Sequence, residues 1–343
     1  MRLAYLDAAR GVALALMVVN HTARYWLAVD VDATRLIYLT TSSAGPTFLF
    51  LVGFVLPLSY RRAPHPVRRA LVRAAGLFAA GYALNVVLAP EQPFLGSNVL
   101  HTIGVAVLLG PLTCRWVDSP RGRYALAAAG VALYASFIAV FAPLSTWVDT
   151  HPLVARLAFY DFPLWPWLGL VFLGQALGGA AADVRGHAAQ ARFYAQLGLV
   201  AVALALAAAA WEWWWPLSAP VGFSRDLLIT NHWIPRGASV VWVLGWVFAT
   251  LAVCFFLSER ARRPLRALTT LGRAALFLYL AHHVIVVTLV KRTLGVSLHS
   301  WPLYWLTTAL LLAALVALAA GWSALMRRRG TSRPLTADLS AAA

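Results

Sequence analysis

Apolar runs long enough to cross a bilayer as helices, roughly 17–25 residues each, recur about ten times along the chain. They lie near residues 8–29, 41–60, 70–89, 98–116, 124–142, 162–179, 193–215, 238–257, 274–290 and 302–326. Short charged or Pro/Gly-containing breaks separate them. The pattern predicts an all-α polytopic membrane protein of about ten transmembrane helices. It leaves no stretch for a separate soluble domain, and no internal repeat stands out. The reading is one transmembrane domain over 1–326 and a disordered cytoplasmic tail over 327–343. The first run lacks a small-x-small cleavage site and leads straight into the next, so it reads as a retained signal anchor.

Arginine placement sets the orientation. Of the 28 basic residues only Lys291 is a lysine. The connections rich in arginine alternate with those poor in it through all ten runs. The one that joins the second and third holds Arg61, Arg62, Arg68 and Arg69, with Arg73 just beyond. By the positive-inside rule both termini are cytoplasmic. Trp211, Trp213, Trp214 and Trp215 close the seventh run on the outer side as an interfacial aromatic belt.

Composition agrees. The chain of 343 residues is 61% hydrophobic and 12% charged, against roughly a quarter charged in a soluble domain. A soluble fold and a disordered chain are both excluded. The net charge of +16 invites a nucleic-acid reading. The basic residues form short patches between spans, however, with no polar region to build a groove, so no nucleic-acid partner is expected. Cys114 and Cys254 read as small buried hydrophobes, not a disulfide framework.

Ionisable residues inside spans are the first places to look for chemistry. The first span carries Asp7 and Arg10 near its start and Asn20-His21 toward its outer end. Arg10 and His21 are three turns apart on one face, about 16 Å along the axis. The alternative is an interfacial Asp7–Arg10 pair and a hydrogen-bonded His21. His101 opens the fourth span at a similar depth, where a simple helix-start role competes with function. His282 and His283 lie roughly 14 Å beyond Arg273, and Tyr279 shares the His282 side. Adjacent helix positions point about 100° apart, which predicts that only one of this pair faces any one site. Histidines on three different spans could bind a transition metal. No cysteine or carboxylate joins them at ligand spacing, so no metal is expected. Arg61, Arg62, Arg68 and Arg69 are explained largely by topology, yet guanidinium forks also suit phosphate. No Gly-rich phosphate loop is present, so nucleoside triphosphate hydrolysis is unsupported.

The segment from Arg2 to His21, RLAYLDAARGVALALMVVNH, resembles the opening of the transmembrane acyltransferases. The nearest branch is the heparan-α-glucosaminide N-acetyltransferase catalytic-domain family. The stretches AGPTFLFLVG from Ala44, VLHTIG from Val99, FPLWPWLG from Phe162 and LYLAH from Leu278 resemble its later segments, in the family's order over about residues 2–290. The resemblance implies that an acyl group passes from cytoplasmic acyl-CoA, in the first instance acetyl-CoA, to a sugar amine or hydroxyl on the far side. Asn20 matches an asparagine that the family places at its active site. In the animal branch the catalytic histidine follows a Tyr-Trp pair in the first outer loop. Here Tyr25-Trp26 is present but no histidine follows before the second span, and His21 is the nearest.

The function this predicts is an acyltransferase in the plasma or inner membrane, acting on a glycan or glycolipid. His21, Asn20, His101 and His282 are the candidate catalytic residues. Arg10, Arg61, Arg62, Arg68 and Arg69 are the candidate acyl-CoA contacts. His21 could act as general base or carry the acyl group itself, and Asn20 or His101 could bind the oxyanion. The lipid bilayer, acyl-CoA and the acceptor are the expected partners, and a homodimer is compatible with the sequence. Two rivals stand beside this reading. One is a transporter or flippase for a lipid-linked sugar or small solute, with the histidines as proton relays. The other is a structural subunit of a glycan-synthesis complex.

Overall fold

The computed structural model describes residues 3–29, 37, 40–62, 66–89, 93–214, 237–260 and 265–328. Trp215 of the aromatic belt lies outside them, as does the expected tail apart from Arg327 and Arg328, which end the last helix. Every described element is helical, and the one backbone pairing of strand type is an isolated bridge between Leu27 and Leu298. This follows from the solvent: in hydrocarbon each backbone N–H and C=O must find a partner within its own segment.

The helices are α1 (Ala4–Trp26), α2 (Ala44–Arg62), α3 (Val67–Leu88), α4 (Val99–Trp116), α5 (Pro120–Asp149), α6 (Pro152–Phe159), α7 (Leu164–Asp183), α8 (His187–Trp214), α9 (Gly237–Arg260), α10 (Leu265–Arg273), α11 (Ala275–His283) and α12 (Trp301–Arg328). A π-helical run, Val284–Thr293, continues α11. Among the described residues nine helical segments are long and apolar enough to cross a membrane, so the protein is an all-α, multi-pass membrane protein. Each coincides with one of the ten predicted runs. The remaining run is α1. At 23 residues it has the length, but Asp7, Arg10, Asn20, His21 and Arg24 lie along it, and it is not among the nine.

The chain forms two compact units. The first draws on Met1–Phe48 and Val253–Ser340, the second on Leu49–Ala252. In the first unit α1 lies against α10 at backbone contact. A Cβ on Gly11 would stand 2.0 Å from the Leu268 carbonyl oxygen, and one on Gly272 would stand 1.8 Å from that of Asp7. Lipid offers no hydrophobic drive for helix association, so glycine contacts of this kind supply the packing instead. The buried Asp7 carboxylate pairs with Arg10 at 3.3 Å and with Arg273 at 3.4 Å. Asp7 lies in the first turn of α1 and Arg10 in the next, both buried. Past Ala274, α11 follows α1 toward its far end. There the Trp26 indole N–H donates to the Val286 carbonyl, and Leu298 N–H donates to the Trp26 carbonyl. Tyr304 of α12 is fully buried, and its hydroxyl donates to the Val19 carbonyl at 3.0 Å.

In the second unit α7 fits against α2 in the same way. Cβ atoms on Gly174 and Gly178 would meet the carbonyl oxygens of Phe50 and Phe54 at 2.2 and 2.1 Å. Arg61 of α2 bridges Asp118 and Asp183, and Arg123 also pairs with Asp183, which ties α2, α5 and α7 together. Trp211, Trp213 and Trp214 are exposed at the end of α8, as an aromatic belt requires.

Candidate active site

The first unit brings together four side chains from two distant parts of the sequence. Asn20 and His21 lie on α1, about 21 Å along the helix from Asp7. His282 and His283 close α11, both buried. His21 Nδ1 and His282 Nε2 are 3.0 Å apart. The two ring planes agree within 12° and the ring centres are 5.2 Å apart. The nitrogens therefore lie close to the line joining the ring centres, each with its in-plane orbital aimed at the other. That is the geometry of an N–H···N hydrogen bond.

Backbone carbonyls decide which nitrogens carry protons, because a carbonyl oxygen only accepts. His282 Nδ1 lies 2.9 Å from the Leu278 carbonyl, and His283 Nδ1 lies 2.8 Å from that of Tyr279. Both Nδ1 atoms are therefore protonated, and in the neutral rings both Nε2 atoms carry lone pairs. His282 Nε2 must then accept, so His21 Nδ1 donates. The neutral His21 ring is left with its lone pair on Nε2. This is the logic by which a buried acceptor fixes the tautomer of a catalytic imidazole.

The same reasoning orients Asn20. The Thr41 hydroxyl donates to the Ile37 carbonyl at 2.6 Å, so the Thr41 oxygen accepts from Asn20 Nδ2 at 2.9 Å. One amide hydrogen of Asn20 is spent on that bond and the second is directed elsewhere. The turn of α1 carrying both residues is held from outside. Tyr304 and Thr22 both donate to the Val19 carbonyl, and Thr308 donates to Thr22.

Sequence reasoning reached His21, Asn20 and His282 but assigned His283 to another face. The structure corrects this. His283 also meets His21, with ring centres 4.5 Å apart. The approach of α1 along the helix puts the His21 ring against both, the three ring centres forming a triangle with sides of 5.2, 4.5 and 4.2 Å. Thr41, Thr22 and Tyr304 were missed. Their only local signal is being hydroxyls in apolar runs, which also serve ordinary backbone capping. The Tyr25-Trp26 pair has separate tasks. The Tyr25 ring stands edge-on to His21 at 6.4 Å, and Trp26 anchors the π-helical run.

His101 belongs to the second unit. The N–H of Asn98 donates to its Nδ1 at 3.0 Å, while Asn98 Oδ1 accepts from the Leu100 N–H, so the two residues cap α4. Asn98 also donates to Asn85, which donates to the Gly96 and Phe94 carbonyls. Since Nδ1 accepts, the His101 proton is on Nε2, packed against Gly81 and 4.4 Å between ring centres from Tyr82. Of the arginines, Arg10 and Arg61 are in the ion pairs described above, while Arg62, Arg68 and Arg69 are exposed.

For a metal, the one group of three possible ligands among the described residues is His21, His282 and His283, whose ligand atoms all lie within 4.8 Å of one another. A family model described as heparan-alpha-glucosaminide N-acetyltransferase, catalytic, matches residues 2–211. That stretch includes Asn20, His21 and His101 and ends before His282 and His283. No curated protein matches the chain.

Proposed function

The chain belongs to the heparan-alpha-glucosaminide N-acetyltransferase catalytic family, a family of membrane acetyltransferases, and from that premise we propose that it moves an acetyl group from acetyl-CoA on the cytoplasmic side to an amine or hydroxyl of an extracytoplasmic glycan or glycolipid. His21 Nε2 is the general base. The observation that carries this reading is the tautomer of His21: His282 holds the Nδ1 proton and leaves the lone pair on Nε2.

In the reaction the acceptor nitrogen or oxygen attacks the thioester carbonyl carbon. Its proton passes to His21 Nε2 as the new C–N or C–O bond forms. The imidazolium is stabilised by its Nδ1–H bond to His282. The second Asn20 amide hydrogen is the donor assigned to the oxyanion of the tetrahedral intermediate, and Thr41 fixes its direction. Collapse of the intermediate breaks the C–S bond, and His21 returns the proton to the departing thiolate. CoA phosphates are assigned to the exposed Arg62, Arg68 and Arg69 at the α2–α3 turn, where guanidinium forks and the start of α3 suit an anion. Arg10 pairs with Asp7, and Arg61 with Asp118 and Asp183.

The test is transfer of labelled acetyl from acetyl-CoA in vesicles containing the purified protein, with His21→Ala beside wild type. A folded His21→Ala protein without transfer supports the reading. Wild-type transfer by that variant removes it. Movement of a sugar lipid by wild type without consumption of acetyl-CoA would replace it with the transporter reading.

A further inference from the structure

We propose that His21, His282 and His283 also form a binding site for a divalent transition-metal ion of the zinc and copper class, and that the ion inhibits the enzyme. Three features point to it. The three ligand atoms lie within 4.8 Å of one another. His282 and His283 each donate Nδ1–H to a backbone carbonyl. Metal-bound histidines use the same outer bond to fix their tautomer, and it places the lone pair of each neutral ring on Nε2. The donor set is all imidazole nitrogen, which selects zinc, copper or nickel over magnesium or calcium.

The resting geometry is that of the proton-sharing pair, so binding requires a defined movement. With Zn–N bonds of 2.0–2.1 Å in a tetrahedral site, ligand nitrogens stand about 3.3 Å apart. His21 Nδ1 and His282 Nε2 are at 3.0 Å and face each other. The ion must therefore sit to the side of the line between them, toward His283. That requires the two nitrogens to part by a few tenths of an ångström and both lone pairs to turn by ~40° off the line between them. His282 is fully buried and tied to Leu278, whereas His21 is partly exposed, so His21 is the ring that shifts to open the gap.

Coordination through His21 Nδ1 moves its remaining proton to Nε2. The lone pair assigned to acetyl transfer is then lost, and no net proton is released. The inhibition rests on the function proposed above, but the binding does not.

The experiment titrates chelator-treated, detergent-purified protein with Zn2+ and, separately, Mg2+. Bound metal is measured directly, and transfer is assayed in parallel. One Zn2+ per chain and no Mg2+ is the expected result. His283→Asn should weaken Zn2+ binding at least tenfold. Zn2+ should raise the Tm of wild type and not that of His283→Asn. Co2+ on the wild-type protein should give the visible bands of a tetrahedral nitrogen site, a readout independent of whether any variant folds. Equal Zn2+ binding by wild type and a variant with all three histidines changed to alanine means an adventitious ion only and overturns the site. So does the absence of tetrahedral cobalt bands. Stoichiometric binding without inhibition upholds the metal site and overturns the base assignment instead.

Discussion

Replacing His282 tests whether His21 works through a single tautomer. In the native site the His21 Nδ1–H donates along a coplanar 3.0 Å bond to His282 Nε2. His282 is fully buried. His282→Ala removes the group that assigns the Nδ1 proton to His21. It also removes the acceptor for an imidazole that becomes cationic in the transition state. A hydrogen bond to a charged group contributes about 1.5–3 kcal/mol. At about 1.4 kcal/mol per factor of ten, kcat should fall roughly 10- to 150-fold. The interaction strengthens as charge develops, so KM for acetyl-CoA should change little. His282→Gln offers a carbonyl to His21 and an amide N–H to the Leu278 carbonyl, and should recover much of the loss. The assay is initial-rate transfer of labelled acetyl in vesicles, with Tm as the control for folding. A folded His282→Ala enzyme within about threefold of wild-type kcat would refute the reasoning, as would a folded His282→Gln no better than alanine.

Three further predictions concern the supports of the site. Gly272→Ala places a Cβ 1.8 Å from the Asp7 carbonyl oxygen and should destabilise by about 1–3 kcal/mol or more. Gly76→Ala meets nothing within 4 Å and should be neutral or stabilising by up to about 1 kcal/mol; paired Tm measurements check the contrast. Asp7→Asn takes the negative charge away from buried Arg10 and from Arg273, and should cost about 3–5 kcal/mol, seen as a loss of folded yield and a lower Tm. Thr41→Val deletes the acceptor for Asn20 Nδ2 and should lower kcat by up to about tenfold, while Thr41→Ser restores it, with Tm close to wild type in both.

The helices were legible in the sequence, and α1 shows both the strength and the limit of such reading. Its Asp7 and Arg10 stand out as charges at the start of an apolar run, and the structure buries both in ion pairing. That depends on Arg273, 266 residues away, and on the Gly11 and Gly272 contacts that bring α10 onto α1. His21 and Asn20 were found because polar residues deep in an apolar run are costly and stand out. His282 and His283 stood out for the same reason. Their convergence on one ring did not, since helical periodicity describes directions from a single axis and not where a second helix lies.

By itself, then, the sequence determined the helical type of the membrane segments, the polar residues worth testing and the family. An apolar run of about 20 residues must satisfy its own backbone in hydrocarbon, so it becomes a helix whatever surrounds it. Only the tertiary structure decided that His21 meets both His282 and His283, that Thr41 holds Asn20, and which imidazole nitrogen carries the lone pair. Those assignments rest on backbone carbonyls of Ile37, Leu278 and Tyr279. A carbonyl is present at every residue, so its identity in the sequence says nothing about which donor it will accept from. The packing of helices chooses that donor.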